Sequence, residues 1–312
     1  MDHGKIVWPD ASSVKQYFSI PNSLIYYIAK NPSSHKLYSK LIQTCKYFFE
    51  KNSILVAPKF QDCKDGINSL ICVNKYLECK KNKKQCCIKI DTKKLKSKIW
   101  IIAEFDMDYG DQNSISLILS KLYRCELYHF GLTDKIVMFD DLKFFTSAKE
   151  VILLKTSIKY NDGRSLMLEK AIECFPNVEY LECDIGENIS CITASTMANI
   201  SKHPNAGNFK DIVLFDTPEI KDLSFKGFNN DTKIWLKFNS VISEAYKEQL
   251  DAFIDEIIES EVKYRWILYD GQDGEKCEIM HSRFGCNCYA EDREDVNGES
   301  DDTESEDDDD EE

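Results

Sequence analysis

The chain has 312 residues, 43% of them hydrophobic and 30% charged, which allows two folded units with a sizeable core and leaves little room for a third. The formal net charge of -14 belongs to one segment: residues 291–312 hold 15 acids and one Arg, and removing them from totals of 54 acids and 40 bases leaves 39 of each sign. A neutral body excludes a global electrostatic drive toward nucleic acid, and the ten Lys set against Glu78 and Asp91 in residues 75–98 make only a local patch.

Thirteen cysteines, an odd number, accompany a start (residues 1–10) with no apolar signal-peptide core, and no later run reaches membrane-spanning length. These features predict an intracellular, reducing compartment and no membrane partner. Most thiols, Cys45, Cys125, Cys174 and Cys183 among them, occupy places suited to a small buried hydrophobe.

The first predicted elements are two helices. Ile20-Pro21 precedes a pattern in which Leu24, Ile25 and Ile28 fall three and four residues apart, with Pro21 placed to start the turn. Asn31-Pro32 ends it, and Ser33 or Ser34 caps a second helix. Along that helix Leu37, Leu41, Cys45 and Phe48 form one line, and Tyr38, Ile42 and Phe49 a neighbouring one. Two short helices with such wide apolar faces cannot enclose each other, so something else must cover them.

The hydrophobic-Pro start, the paired apolar helices and the Cys45-Lys46-Tyr47-Phe48 finish resemble an F-box, the module that docks substrate receptors of cullin-RING ubiquitin ligases onto the Skp adaptor. The pattern departs from the family's at Ser23, Thr44 and Phe48. The resemblance implies a helical module over 18–57 in which Ile20, Pro21, Leu24, Ile28, Leu41, Cys45 and Phe48 contact the adaptor or support that contact. A helical hairpin that only caps the following domain would use the same residues.

After a Lys/Cys-rich connector over 58–98, short β-rich runs alternate with helical ones through 99–290, which predicts a parallel sheet with helical crossovers. The strand candidates are 99–105, 125–130, 151–156, 178–184, 212–216, 234–238 and 264–269. Helical stripes fill the gaps: Ile115, Ile118, Leu119, Leu122 and Tyr123; Leu168, Ala171, Ile172 and Phe175; Leu250, Phe253, Ile254, Ile257 and Ile258. Residues 174–185, CFPNVEYLECDI, resemble a leucine-rich repeat core with Val178, Leu181 and Cys183 inward; Val151, Leu154 and Thr156 with Ile158, and Ile220, Leu223 and Phe225, offer the spacing again. The fold class expected is therefore α/β: an F-box-like helical module, a short leucine-rich-repeat-like solenoid with a parallel sheet, and a disordered acidic tail over 291–312. A single twisted α/β domain is the alternative for the middle part. An open solenoid face would be lined by Lys155, Glu179, Tyr180, Glu182, Asp216, Trp235 and Lys237, a mixture of charge and aromatics that suits a protein target.

Catalytic and metal patterns are weak. Cys277, His281, Cys286 and Cys288 lack a paired zinc knuckle, and Cys79, Cys86 and Cys87 lie among lysines with no His beside them. Asp106, Asp108 and Asp111 start like a calcium loop, but Leu117 stands where the bidentate Glu belongs. Asp270-Gly271 and Asp273-Gly274 read as turns. The run KKNKK, residues 80–84, resembles a nuclear-import signal, and Thr303 and Ser305 are followed by acids suited to an acid-directed kinase. Together these readings predict a non-enzymatic substrate receptor of a Skp-cullin-F-box ubiquitin ligase, cytoplasmic or nuclear, with no cofactor or metal and with an unidentified protein target. Nucleic acid is disfavoured as a partner. The alternative is a stand-alone repeat scaffold without ligase association.

Overall fold

The computed structural model describes residues 17–65, 68–72, 81, 86–112, 114–186, 191–220, 223–260 and 262–285. The acidic tail with Thr303 and Ser305, Cys79, Cys286, Cys288 and all of KKNKK except Lys81 lie outside the described residues.

Three helices open the described chain: α1 Asn22–Lys30, α2 His35–Thr44 and α3 Lys46–Lys51. Pro21 sits at the N-cap of α1, and the Ser34 hydroxyl caps α2 by accepting from the Leu37 amide at 3.2 Å. Cys45 is extended, with φ -152° and ψ 120°, and separates α2 from α3, so the line Leu37, Leu41, Cys45, Phe48 is not one continuous helical stripe. Phe48 is buried with Ile25 and Ala29 in a small core of its own, against which Ile28, Leu41 and Cys45 pack. On α2 it is Tyr38, from the neighbouring line, that is fully buried, while Leu37 is exposed.

The remainder is mixed α/β around a largely parallel sheet. Its strands are β1 Ile54–Asp62, β2 Ser69–Cys72, β3 Cys87–Ile90, β4 Lys98–Met107, β5 Leu122–Cys125, β6 His129–Thr133, β8 Glu150–Leu154, β10 Tyr180–Asp184, β11 Asp211–Thr217, β12 Lys233–Phe238 and β13 Arg265–Leu268. A separate parallel pair joins β7 Ile136–Met138 to β9 Ser157–Lys159. In the main sheet β1, β4, β6, β8, β10, β11, β12 and β13 lie side by side in chain order, all parallel, with β5 beside the start of β4 ahead of β6. Strands β2 and β3 extend the edge beyond β1 as an antiparallel pair. Parallel neighbours need crossovers. These are helical for most of the chain: α4 Ser114–Leu119, the 3₁₀ segment Phe139–Phe144, α5 Leu168–Ile172, α6 Thr196–Ser201 and α7 Glu244–Glu259, followed by α8 Gly274–Phe284.

Burial alternates along these strands, as in β8 and β10, where the residues in between the buried ones are only half covered. The crossover helices therefore lie on one face and leave the other open across the middle strands, unlike a parallel sheet sandwiched between two helical layers, while at its two ends α1–α3 pack on that other face around Trp100 and α8 packs on it against Trp266. A spacing recurs on the covered face: Leu127, Phe130 and Leu132; Ala148, Val151 and Leu153; Val178, Leu181 and Cys183; Phe209, Ile212 and Leu214 are all buried. Pairing of β6, β8, β10 and β11 puts Phe130, Val151, Leu181 and Ile212 in one row and Leu132, Leu153, Cys183 and Leu214 in the next.

Several expectations shift. The spacing around Val151 is carried by Ala148 and Leu153, because Leu154 points to the open face. Ile220, Leu223 and Phe225 follow β11 without forming a strand. The run 125–130 is divided between β5 and β6, and Leu122 and Tyr123 belong to β5 and not to the preceding helix. The module boundary at residue 57 falls inside β1, and the connector contributes the rest of β1 together with β2 and β3 to the sheet. Asp273 is an N-cap, accepting from the Glu275 and Lys276 amides at 2.9 and 3.1 Å, so the second Asp-Gly pair starts α8. Cys72 and Cys87, opposite each other in β2 and β3, are disulfide bonded, so Cys87 is not a free thiol among its neighbouring lysines.

Candidate functional site: the open face of the sheet

Alternation dictates which side chains share the open face. Register places Lys59, Glu104, His129, Glu150, Tyr180, Asp211 and Lys233 in one row across successive strands. The next row runs through Gln61, Asp106, Gly131, Ile152, Glu182, Val213, Trp235 and Trp266.

At the first strands these rows form a connected chain of charges. Lys59 Nζ donates to Asp106 Oδ2 at 2.7 Å and to Glu104 Oε2 at 3.2 Å. His129 Nε2 meets Asp106 Oδ1 at 2.8 Å, and its Nδ1 meets Glu150 Oε2 at 3.2 Å. Both imidazole nitrogens thus face carboxylates, which suits the doubly protonated ring. Burial pulls the His129 pKa down, but the bonds and charges of Asp106 and Glu150 outweigh it and the net shift is upward. Asp106 is likewise penalised by burial and nonetheless lowered by His129 and Lys59. Burial disfavours the Lys59 ammonium, and Asp106 and Glu104 more than restore it. Gly131 makes room for this arrangement: a Cβ there would stand 2.6 Å from Asp106 Oδ1 and 3.2 Å from His129 Nε2.

Farther along, Tyr180 donates to Glu182 at 2.6 Å, and Glu179, at the entry to β10, bridges Lys149 and Lys210, which hold its carboxyl down at about 2. Phe215 meets Trp235 edge to face at 4.9 Å, and Trp235 stacks on Trp266 at 4.6 Å. Asp184 is raised by burial and by the like charge of Asp216. Among the residues expected on this face, Tyr180, Glu182, Trp235 and Lys237 lie in it; Glu179 stands at its entry rim, and Lys155 and Asp216 at the strand exits with positive φ of 49° each. Lys59, Glu104, Asp106, His129 and Glu150 were missed. Their signal was the period-two alternation of 104–107, 129–132 and 150–153, legible only once those runs are aligned as neighbours.

Helices α1–α3 close one end of this face. Tyr38 packs with Ile54 and Trp100, its hydroxyl donating to the Asn52 carbonyl at 2.6 Å and accepting from the Ile54 amide at 3.1 Å. His35 reaches Glu126 at 3.1 Å across the same contact. The outward side is apolar: Tyr17, Ile20, Leu24, Tyr26, Tyr27 and Leu37 are exposed, Leu24 at 53% and Tyr27 at 65%, against Ile88, Tyr128, Met138 and Val241 scattered over the other described residues. Of the adaptor residues expected from the F-box resemblance, Ile20, Pro21 and Leu24 are exposed, Ile28, Leu41 and Cys45 half-buried, and Phe48, at 5%, lies inside.

Cys277 and His281 both lie on α8, where His281 packs against Trp266, and no group of three or more His, Cys, Asp or Glu among the described residues is placed to hold a metal ion. No helix among the described residues is long and apolar enough to cross a membrane. Compared with known proteins, the chain matches no family model, no curated protein and no solved structure.

Proposed function

We propose that this chain is a non-enzymatic receptor subunit of a Skp-cullin-F-box ubiquitin ligase: α1 and α2 tether the adaptor, the open sheet face takes a protein target, and ubiquitin is transferred elsewhere in the assembly. The observation that carries this reading is the cluster of exposed apolar side chains on α1 and at the start of α2, on a helical unit that already has its own core. Such surface gains roughly 25 cal/mol per Å² when a partner removes it from water, before the costs of association. Phe48 and Leu41 support that surface from within.

The sheet is read here as a short leucine-rich-repeat-like solenoid. Chain-order parallel strands, one covered face and the recurring buried triads support that reading. On the open face Glu104, Asp106, Glu150, Glu182, Asp184 and Asp211 outnumber Lys59, His129, Lys233 and Lys237, and the Phe215–Trp235 pair lies beside them. A target segment with basic and apolar side chains complements such a surface. Catalysis would be by proximity alone, a bound target being held near a charged carrier at high effective concentration.

The burial of Tyr38 against Ile54 and Trp100 favours a second reading, in which α1–α3 only cap the sheet of a stand-alone scaffold. Binding of a purified Skp-type adaptor to the intact chain separates the two. Leu24→Asp and Tyr27→Asp, both outward, should abolish binding while the circular dichroism and melting temperature stay as in the parent. Equal adaptor binding by parent and variants, or none by the folded parent, would remove the receptor reading.

A further inference from the structure

One row of hydrophobes on the covered face ends on a charge. Register carries the row Phe105, Phe130, Val151, Leu181, Ile212 and Ile234 directly to Arg265 on the last strand. Arg265 is only 3% exposed. Its Nη1 donates to the Thr232 carbonyl and, at 3.2 Å, to that of Tyr264; Nη2 donates to the Asn229 carbonyl at 3.2 Å; the Phe225 ring lies 5.5 Å from the guanidinium carbon. Nε is buried and has no partner among the described residues. Carbonyls satisfy donors, but they do not supply the full counter-charge that a cation out of water needs. No carboxylate among the described residues does so either.

The same residue lines a cavity of 450 Å³ between the loop 224–230 and α7. Its apolar walls are Phe225, Phe228, Phe253, Ile257 and Val262, and Glu256, Ser260 and Lys226 stand at its exposed margin. Small-molecule sites have this composition and size: mostly apolar lining with a few polar groups that fix orientation. We propose that this cavity binds an organic monoanion, its carboxylate on the Arg265 guanidinium and its apolar body among the phenylalanines. A planar carboxylate matches the guanidinium fork, and with Glu256 and Lys226 offsetting each other at the margin the one buried guanidinium balances a single negative charge. Because Arg265 points to the covered side of the sheet, such a ligand leaves the open face free.

Isothermal titration of the full chain with 4-phenylbutyrate, and separately with 4-phenylbutan-1-ol, tests the assignment. The acid should bind, and the alcohol, which keeps the body and loses the charge, should bind at least about tenfold more weakly. Ser260→Trp fills the mouth from an exposed helix end and should weaken the acid by at least about tenfold at a melting temperature close to that of the parent. Absence of heat with the acid at millimolar concentration, equal affinity for acid and alcohol, or undiminished binding by a folded Ser260→Trp protein would each overturn the proposal.

Discussion

Replacing Asp106 with Asn tests whether the charges on the first open-face strands act as one unit. The Asp106 side chain is 13% exposed and accepts from Lys59 at 2.7 Å and from His129 at 2.8 Å. Asn keeps the shape and one acceptor and removes the charge. Hydrogen bonds to charged groups contribute about 1.5–3 kcal/mol each, and deleting one member of a buried pair costs about 3–5 kcal/mol. Glu104 and Glu150, each at 3.2 Å, still hold Lys59 and His129, so the expected loss near neutral pH is about 2–3 kcal/mol.

The pH dependence follows from the two shifts. His129 is raised above 6.5, so its contribution is complete below that value and fades as pH rises through its folded pKa. Asp106 is lowered below 3.8, so its contribution is present above that value and fades as pH falls through its folded pKa. The gap between parent and Asp106→Asn should therefore be widest between those limits. At high pH it should narrow without closing, because the Lys59 bond persists. Urea unfolding at a series of pH values measures the gap, and an NMR titration of the His129 ring should show its pKa falling in the variant. Gly131→Ala provides a second arm: its Cβ displaces Asp106, and it should lower the His129 pKa and cost about 1–2 kcal/mol. A loss under about 0.5 kcal/mol at every pH, with His129 titrating as in the parent, would refute the reasoning.

Two further outcomes concern the first helices and the sheet edge. Tyr38→Phe removes both bonds of a buried hydroxyl and should cost about 1–2 kcal/mol in urea unfolding, with α1–α3 losing amide protection first; unchanged protection would mean that the hydroxyl does not tie helix to sheet. Cys72→Ser opens a disulfide spanning a sequence separation of 15 and should cost about 3 kcal/mol in the oxidised protein and little under reductant, whereas equal loss in both conditions would assign the effect to packing.

Much of the fold was legible because strands and helices announce themselves in local patterns. Val178, Leu181 and Cys183 reveal their inward spacing within six residues, and all three are buried. The α7 stripe of Leu250, Ile254 and Ile257 is equally local, and so is the Ser34 cap. The early strands were harder. β1 carries Pro58 and Lys59 inside an otherwise apolar run, and Lys59 makes sense there only beside Asp106. The candidate site divides the same way. Tyr180, Glu182 and Trp235 could be found from alternation, whereas Asp106 resembled the start of a calcium loop and His129 carried no local mark.

By itself, then, the chain's order of residues determined the helical start at Pro21, the capped second helix, the succession of strand and crossover, and the confinement of net charge to one end. Only the tertiary structure decided that Tyr38, and not Leu37, turns inward, that Lys59 meets an acid 47 positions away, and that the hydrophobic row ends on Arg265. Periodicity assigns side chains to a face, because it depends on backbone geometry over a few residues. Which faces meet, and in what register, depends on contacts between segments far apart in the chain, and no local pattern encodes those.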